Sequence, residues 1–374
     1  MNTLDELIRY CNEERHLGAL LLTGEWGCGK TYLVDRDLAD ALHATHFIVR
    51  VSFLGIDSVE ALNDVVRKQY LMVCTPYLGK MKQRKENMKN GQYFLGALAK
   101  ALEAINPIQG GIASAFVGVD PLEYIPLEPV VEDFHEKKAK KRVVLVFDDL
   151  NRSQLDWGKF VGTINEYCEN KGFTTIVIGD MEAIRANQKF DTMLYKTVKE
   201  KTIARTVRYL PDFQKVVAKI LEESEWPSPD YAEFLAENVQ TITDVFCDDA
   251  SVANPTIRKY HNLRSLNCAL QDFYRLYEIL TEHQVPEISR YLYSFIVYIL
   301  ISRNGLNNGG QPYFDYSEEE IEQLYTGYSP DYLPESVIQW VEDGILDEDR
   351  ISADIGQRIQ KDELSAVCTE GAEK

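Results

Sequence analysis

One short motif restricts the fold of this chain more than any other feature. It has the pattern Gly-x-x-x-x-Gly-Lys-Thr and ends at Lys30 and Thr31. Small residues at these positions let the backbone curl around a phosphate, so that successive N–H groups point inward. An apolar run at 19–23 precedes the motif and a helical pattern follows it, which is the context that such a loop requires. We therefore expect a phosphate-binding loop whose nucleotide contacts come from Gly24, Glu25, Trp26, Gly27, Cys28, Gly29, Lys30, Thr31 and Tyr32.

Two side chains at the end of the motif are expected to manage the charge of the nucleotide. Lys30 should reach the β- and γ-phosphates as a point charge, and the Thr31 hydroxyl should coordinate Mg²⁺. The helix that begins here adds the positive end of its dipole. Cys28 is either a small residue that fits the loop or a reactive thiol.

Short apolar runs rich in β-branched residues recur before residue 210, and helix-like segments separate them. Runs of this kind are typical of a parallel sheet that helices cover on both faces. The expected fold class is therefore α/β, with a five-stranded parallel sheet. Its strands are expected at 19–23, 47–52, 143–147, 175–179 and 205–209.

The remainder of the chain is expected to be mostly helical. About ninety residues separate the second and third expected strands, which is more than one crossover helix needs. We therefore expect a helical insertion at about 58–140 within a nucleotide-binding domain of residues 1–211. Helical periodicity dominates after Pro211, so residues 212–374 are expected to form a mostly α-helical C-terminal lid or partner-binding domain.

The third expected strand ends in two adjacent carboxylates, Asp148 and Asp149, beside the place where a phosphate loop emerges in such sheets. We expect Asp148 to hold Mg²⁺ through its water shell and Asp149 to orient or deprotonate the attacking water. The alternative for Asp149 is a cap of the following turn. Arg152 is either a charge-stabilising finger for a neighbouring subunit or a surface arginine.

Charge and composition limit the partners of the chain. The formal net charge of −19 disfavours sequence-independent binding to nucleic acid or to an anionic membrane. The basic clusters 80–89 and 137–142 either contact nucleic acid or form solvated faces, and nucleic-acid contact is the less favoured of the two. The scattered cysteines form no Cys-x-x-Cys pair, and no signal peptide or convincing membrane span is visible, which predicts a cytoplasmic protein without membrane partners.

Three features resemble the KAP family of P-loop NTPases, within a stretch of about residues 18–270. They are Trp26 inside the loop, the run Val-Ser-Phe-Leu-Gly-Ile at 51–56, and Phe-Asp-Asp-Leu-Asn-Arg at 147–152. The family's acidic motif usually reads Asp-Asp-Leu-Asp-Arg, so Asn151 departs from it and leaves the metal and base positions intact. The resemblance implies a P-loop NTPase core and ATP as the nucleotide. Many family members carry transmembrane helices between their two nucleotide-binding motifs, whereas this chain has the insertion without a convincing membrane span.

Segments around Arg205 and Arg264 also resemble the family, and in related switch ATPases such arginines sense the γ-phosphate from a lid. Arg264 is either a sensor of this kind or an ordinary arginine on a helix surface. Asp180 stands where related ATPases carry a polar sensor, and it either reaches metal-bound water or lies in a solvated loop. The expected catalytic residues are therefore Asp149, Lys30, Arg152 and Arg264.

The functional hypothesis is an Mg²⁺-dependent ATPase that acts as a nucleotide-controlled switch. ATP is expected to close the helical domain over the loop and to associate subunits into a homo-oligomer, and hydrolysis is expected to change the behaviour of a separate effector protein. The resemblance implies a prokaryotic setting such as defence against phage. The alternatives are an ATP-binding scaffold and a DNA-associated motor. The acidic, tyrosine-rich segment 314–350 is either a docking surface for a basic partner or an ordinary helical surface.

Overall fold

The computed structural model describes residues 2–78, 127–133, 139–152, 154–179, 202–247, 259–305 and 317–372. The chain forms two compact units. The first comprises Met1–Glu25 and Gly29–Leu210, and the second comprises Trp26–Cys28 and Pro211–Lys374. Most of the expected insertion, including the basic cluster 80–89, lies outside the described residues, as does Asp180.

The described part of the first unit has a strand at each of the five predicted apolar runs. Its helices are α1 (Thr3–Asn12), α2 (Lys30–Tyr32, a π-helical stretch Leu33–Leu38, and Ala39–Leu42), α3 (Val59–Leu78) and α4 (Trp157–Asn165, extended by the π-helical Glu166–Asn170). Its strands are β1 (Ala19–Thr23), β2 (His46–Ser52), β3 (Val130–Asp133), β4 (Ala139–Asp148), β5 (Thr174–Gly179) and β6 (Ile203–Arg208).

Five of these strands form a parallel sheet in the order β2-β4-β5-β1-β6, which confirms the α/β fold with five parallel strands. Strand β3 was not predicted, and it pairs antiparallel with the first half of β4. Strand β5 lies between β1 and β4, so the chain reverses direction across the sheet near β1. Ligands of open α/β sheets bind outside the carboxyl ends of the strands at such a reversal.

Alternate residues of the strands enter two separate cores, one on each face of the sheet. Leu21, Val49 and Leu145 belong to one core, to which α3 and α4 contribute. Leu20 and Val146 belong to the other, together with residues of α1 and α2. Every residue of β5 is buried, which is the pattern of a strand covered on both faces.

The second unit is helical wherever it is described. Its helices are α5 (Phe213–Glu223), α6 (Pro229–Glu237), α7 (Val239–Asp244), α8 (Leu263–Glu282), α9 (Ile288–Gly305), α10 (Glu318–Leu324), α11 (Glu335–Asp343) and α12 (Glu348–Ala372), and a 3-10 turn spans Pro330–Tyr332. This confirms the mostly α-helical C-terminal domain.

The core of the second unit surrounds helix α9. Residues 291–301 are all buried, because other helices cover α9 on every side. Trp340 is partly buried against this core, with its ring centroid 5.7 Å from that of Phe295. Among the described residues, no helix is both long enough and apolar enough to cross a membrane.

Within the first unit, a buried tyrosine attaches helix α1 to neighbouring segments of the chain. The Tyr10 hydroxyl donates to the carbonyl oxygens of Gly18 at 3.0 Å and Thr175 at 2.9 Å. Burial raises the pKa of this hydroxyl, so it remains a donor at any physiological pH. Arg205 adds ion pairs from β6 to Glu6 at 3.1 Å and Glu13 at 2.9 Å.

The buried hydroxyl gives a stability prediction. Tyr10→Phe keeps the ring but leaves two buried carbonyls without their donor, so the free energy of unfolding should fall by about 1–2 kcal/mol. Urea unfolding followed by circular dichroism measures this change. Tyr274→Phe is the control, because its hydroxyl donates to Glu278 at an exposed site. Equal losses in the two variants would contradict the role given to Tyr10.

Candidate functional site

The glycine-rich motif joins β1 to α2 through glycines in left-handed backbone conformations. Gly29 has φ +95° immediately before the helix begins at Lys30. Gly27 has φ +79°, and a Cβ there would lie 2.3 Å from Oδ1 of Asn262, which belongs to the same unit. Other residues rarely adopt this backbone region, so the motif keeps glycine for conformational reasons at both positions.

Lys30 is folded back over the loop that precedes it. Its ammonium group donates to the carbonyl oxygens of Gly24 at 2.8 Å and Glu25 at 2.7 Å. These two contacts hold the positive charge of Lys30 against the loop. The cation that the motif predicts is therefore present at the loop.

A nearly buried carboxylate lies next to the start of α2. Asp148, at the end of β4, is 5% exposed. The Thr31 hydroxyl donates to its Oδ2 at 2.8 Å, and the Asp149 backbone N–H donates to its Oδ1 at 2.7 Å. The structure thus brings together Thr31 and Asp148, the two predicted metal ligands, although 117 positions separate them in the chain.

Asp149 adopts an unusual backbone conformation, with φ +58°. Aspartate and asparagine tolerate this region better than most residues do. The Ser52 hydroxyl, at the end of β2, donates to Asp149 Oδ2 at 2.7 Å and accepts from the Leu54 N–H at 3.2 Å. The hydrogen bond from Ser52 fixes the position of the Asp149 carboxylate.

Arg50 links two carboxylates at the same edge of the sheet. Its Nε lies 3.0 Å from Asp35 Oδ2, and its Nη1 lies 3.4 Å from Asp148 Oδ2. Burial raises the pKa of Asp35, and the nearby Asp148 charge raises it further, whereas Arg50 opposes the rise. Arg50 is therefore the positive charge that lets these two carboxylates lie close together.

Sequence reasoning gave no role to Arg50, Ser52 or Asp35. Ser52 lies in the run 51–56 that resembles the KAP family. The register of the sheet would have found it, because Ser52 is the direct neighbour of Asp148 on the adjacent strand. No comparable signal identifies Asp35, which looks like an ordinary helix-surface aspartate.

The remaining loop residues differ in exposure. Trp26 and Tyr32 are exposed at 41% and 38%, whereas Cys28 is buried. Burial of the Cys28 side chain favours the small-residue interpretation over a reactive thiol. Trp26–Cys28 group with the second unit, in which the Leu263 N–H donates to the Gly27 carbonyl at 3.0 Å.

The three candidate arginines lie in different surroundings. Arg264 is exposed in the first turn of α8, where its N–H donates to the Asn262 side chain at 3.1 Å. Arg152 is half-buried in the short 3-10 turn after β4, and its N–H donates to the Asp149 carbonyl at 2.8 Å. Arg205 pairs with two glutamates near α1, which is a structural role.

Part of the basic cluster 137–142 is internal, and its residues 137 and 138 lie outside the described residues. Lys141 is 4% exposed and donates to the His43 carbonyl at 2.8 Å, and the Arg142 guanidinium donates to the Glu13 carbonyl at 2.8 Å. Both residues belong to β4. Their charges hold neighbouring segments together, which is a structural role for these two residues of the cluster.

The donors at this edge fit a nucleotide and a hard cation. Thr31 and Asp148 offer hydroxyl and carboxylate oxygens, which are the ligands that Mg²⁺ prefers. The N-terminus of α2 and Lys30 offer positive charge to phosphates. The site therefore suits a phosphorylated ligand with a divalent cation.

A glycine-rich loop between β1 and α2, with an acidic strand end against the helix, defines a P-loop NTPase. Residues 1–280 match the KAP family P-loop domain. This chain belongs to the KAP family, as its sequence predicts. No curated protein matches it.

Solved structures resemble the chain only distantly. Drosophila ORC, in a structure bound to DNA, matches 78% of this chain and 63% of its own, with 11% identity and a TM-score of 0.35. AMPPCP-bound DnaA from Aquifex aeolicus matches 90% of this chain and 85% of its own, with 13% identity and a TM-score of 0.28. This chain thus spans less than two thirds of the Drosophila chain.

The link between Arg50 and two carboxylates gives a prediction about Mg²⁺. Arg50→Gln removes the cation beside Asp148, so the free energy of unfolding without Mg²⁺ should fall by about 0.5–1 kcal/mol. Added Mg²⁺ should restore much of this loss, because a divalent ion replaces the missing charge. Thermal unfolding with and without Mg²⁺ should therefore show a larger Mg²⁺-dependent rise in Tm for Arg50→Gln than for the wild type.

Arg15→Gln is the control for this experiment, because Arg15 is an exposed arginine of the same unit. Its Mg²⁺-dependent rise in Tm should equal that of the wild type. If Arg50→Gln also behaves like the wild type, then Arg50 does not balance the carboxylate that faces Thr31.

Proposed function

We propose that this chain is an Mg²⁺-dependent ATPase that works as a nucleotide-controlled switch. The observation that carries the proposal is the 2.8 Å hydrogen bond from Thr31 to Asp148, directly after Lys30. This hydrogen bond joins a hydroxyl to a carboxylate, next in sequence to the Lys30 ammonium group. Phosphoryl transfer from a nucleoside triphosphate requires these three groups.

The binding groups have separate roles in this proposal. Backbone N–H groups of the loop and the N-terminus of α2 bind phosphate oxygens, and Lys30 exchanges its two carbonyl partners for the β- and γ-phosphates. Thr31 and Asp148 are the residues that would hold Mg²⁺. When bound, this ion neutralises charge on the phosphate oxygens.

Asp149 is the proposed catalytic carboxylate. Ser52 holds one of its oxygens at 2.7 Å, which leaves the other oxygen to orient a water molecule and accept its proton. The Asp148 carboxylate accepts from Thr31 and the Asp149 carboxylate accepts from Ser52, so the two neighbouring residues serve different tasks in this proposal. Arg152 and Arg264 remain candidates for charge stabilisation or γ-phosphate sensing, either within one chain or across an oligomer.

The switch part of the proposal rests on the phosphate loop itself. Trp26–Cys28 lie within the predicted nucleotide-binding motif, yet they group with the helical unit. A ligand that reshapes this loop would therefore act directly on residues that pack with α8. We propose that ATP binding drives homo-oligomerisation and that hydrolysis controls a separate effector protein. Defence of a prokaryotic cell against phage is the proposed setting, by analogy with the family alone.

The first test replaces the proposed catalytic carboxylate. Asp149→Asn should retain ATP but reduce hydrolysis by about a hundredfold or more, because an amide does not accept the proton from water. Asparagine is chosen because it tolerates the left-handed backbone that alanine would strain. ATP turnover with and without Mg²⁺ measures the loss of hydrolysis. Light scattering under the same conditions should show a larger ATP-bound assembly, which the variant retains and the wild type loses on hydrolysis.

Two further variants serve as controls. Asp40→Asn removes an exposed carboxylate from α2 and should hydrolyse ATP at the wild-type rate. Lys30→Ala should lose tight nucleotide binding, since the loop then lacks its cation. If the wild type neither hydrolyses ATP nor changes size with it, the chain is an ATP-binding scaffold rather than a switch. Stimulation of turnover by DNA would instead favour the motor alternative.

A further inference from the structure

The helical unit contains a cavity that no residue of the phosphate-binding motif lines. Its volume is about 850 Å³, within the range of pockets that hold small molecules. Its walls come from the end of α7, Lys259 ahead of α8, the start of α9, the segment 326–332 and the middle of α12. The cavity is thus assembled from five separate parts of the chain within one unit.

Among the described residues that line the cavity, positive side chains outnumber negative ones. Lys259, Arg290 and Arg358 line it, against Asp244 and Asp331. This balance is unusual for a chain whose formal net charge is −19. Local positive charge that departs from the overall charge of a protein attracts anions to the cavity that carries it.

The two arginines are held in place by tyrosine side chains, and Arg290 is held by a carboxylate as well. The Arg290 Nη1 donates to the Tyr332 hydroxyl at 2.8 Å, and its Nη2 lies 3.2 Å from the Glu287 carboxylate. The Arg358 guanidinium lies 5.3 Å from the Tyr332 ring centroid and 5.7 Å from that of Tyr291. Ordering these long side chains in advance lowers the entropic cost of binding a ligand.

The buried lysine is also fixed. Lys259 is 5% exposed, and its ammonium group donates to the carbonyl oxygens of Asp244 at 3.0 Å and Cys247 at 2.6 Å. It lies 5.4 Å from the ring centroid of Tyr325. Two main-chain oxygens and an aromatic ring therefore hold the Lys259 side chain in place at the cavity wall.

The segment 326–332, which forms another wall of the cavity, is fixed by its backbone conformation and by contacts with α9. Gly327 has φ +116°, a backbone region that other residues rarely adopt, and its position lies against the ring of Tyr293. The Ser329 N–H donates to the Ser294 hydroxyl, a buried group of α9, at 3.3 Å. These contacts fix tyrosine rings and small hydroxyls at the wall of the cavity.

We propose that this cavity binds a small nucleotide, with its phosphate held by Arg290 and Arg358. Planar guanidinium groups match phosphate oxygens in pairs, and tyrosine rings can stack on a base. The two aspartates fit the same ligand, because a nucleotide also carries hydroxyl and amine donors. A purely anionic ligand such as inorganic phosphate would leave these carboxylates unfavourably placed.

The experiment isolates the cavity from the phosphate-binding loop. In the Lys30→Ala background, isothermal titration calorimetry with AMP, GMP, CMP, UMP and inorganic phosphate should detect at least one nucleotide at about 1 mM or below. Arg290→Gln and Arg358→Gln should each weaken that binding about tenfold or more, since each removes a charge-assisted hydrogen bond. Arg275→Gln is the matched control, because Arg275 is an exposed arginine of α8 that pairs with Glu348 at 3.0 Å.

A second measurement needs no cavity mutation. Cys247 is exposed and lines the cavity, whereas Cys268 is half-buried on α8 and does not line it. In the Lys30→Ala protein, the nucleotide that binds should slow alkylation of Cys247, followed by mass spectrometry, and leave Cys268 unchanged. The proposal is overturned if none of the four nucleotides binds, if inorganic phosphate binds as tightly as the nucleotide, or if the bound nucleotide leaves alkylation of Cys247 unaffected. None of these results depends on ATP hydrolysis.

Discussion

The structure depends on how Asp148 is accommodated. A nearly buried carboxylate is costly unless hydrogen bonds and positive charge compensate for lost water. Its partners come from three places in the sequence, namely the Thr31 hydroxyl, the Asp149 backbone and the Arg50 guanidinium. These contacts tie the start of α2 and the ends of β2 and β4 to one point. The edge that carries the candidate site is therefore also the edge that holds these elements together.

The parallel sheet was predictable because burial on both faces leaves a continuous apolar run in each central strand. Strand β3 was not, since Val130–Asp133 contains only four residues and half of them are acidic. The structural role of the basic residues at the start of β4 was not predictable either. Its residues Lys141 and Arg142 look like a solvated basic cluster, but long side chains can place their stems against the protein while the charged ends bind main-chain carbonyls.

The site was predictable only where its residues are local in sequence. The glycine motif and the Asp148–Asp149 pair can each be recognised from a few adjacent residues. Arg50 and Ser52 depend on the β2–β4 register, which sets Ser52 beside Asp148 and Arg50 two residues earlier on the same face of the sheet. A shift of one residue would turn both side chains to the opposite face. That register is a property of the whole sheet, so no local pattern reveals it.

The acidic segment 314–350 shows that the composition of one segment does not determine the charge of a cavity that the segment lines. It has twelve acidic residues and one basic residue, which predicts a negative surface. Its residues Tyr332 and Ser329 nevertheless line a cavity with Arg290 and Arg358, which come from α9 and α12. Charges on the solvated side of the segment are screened over about 8 Å at physiological ionic strength, whereas arginines held against rings act at contact distance. The character of such a cavity therefore follows from the side chains that packing brings together rather than from the charge of any one segment.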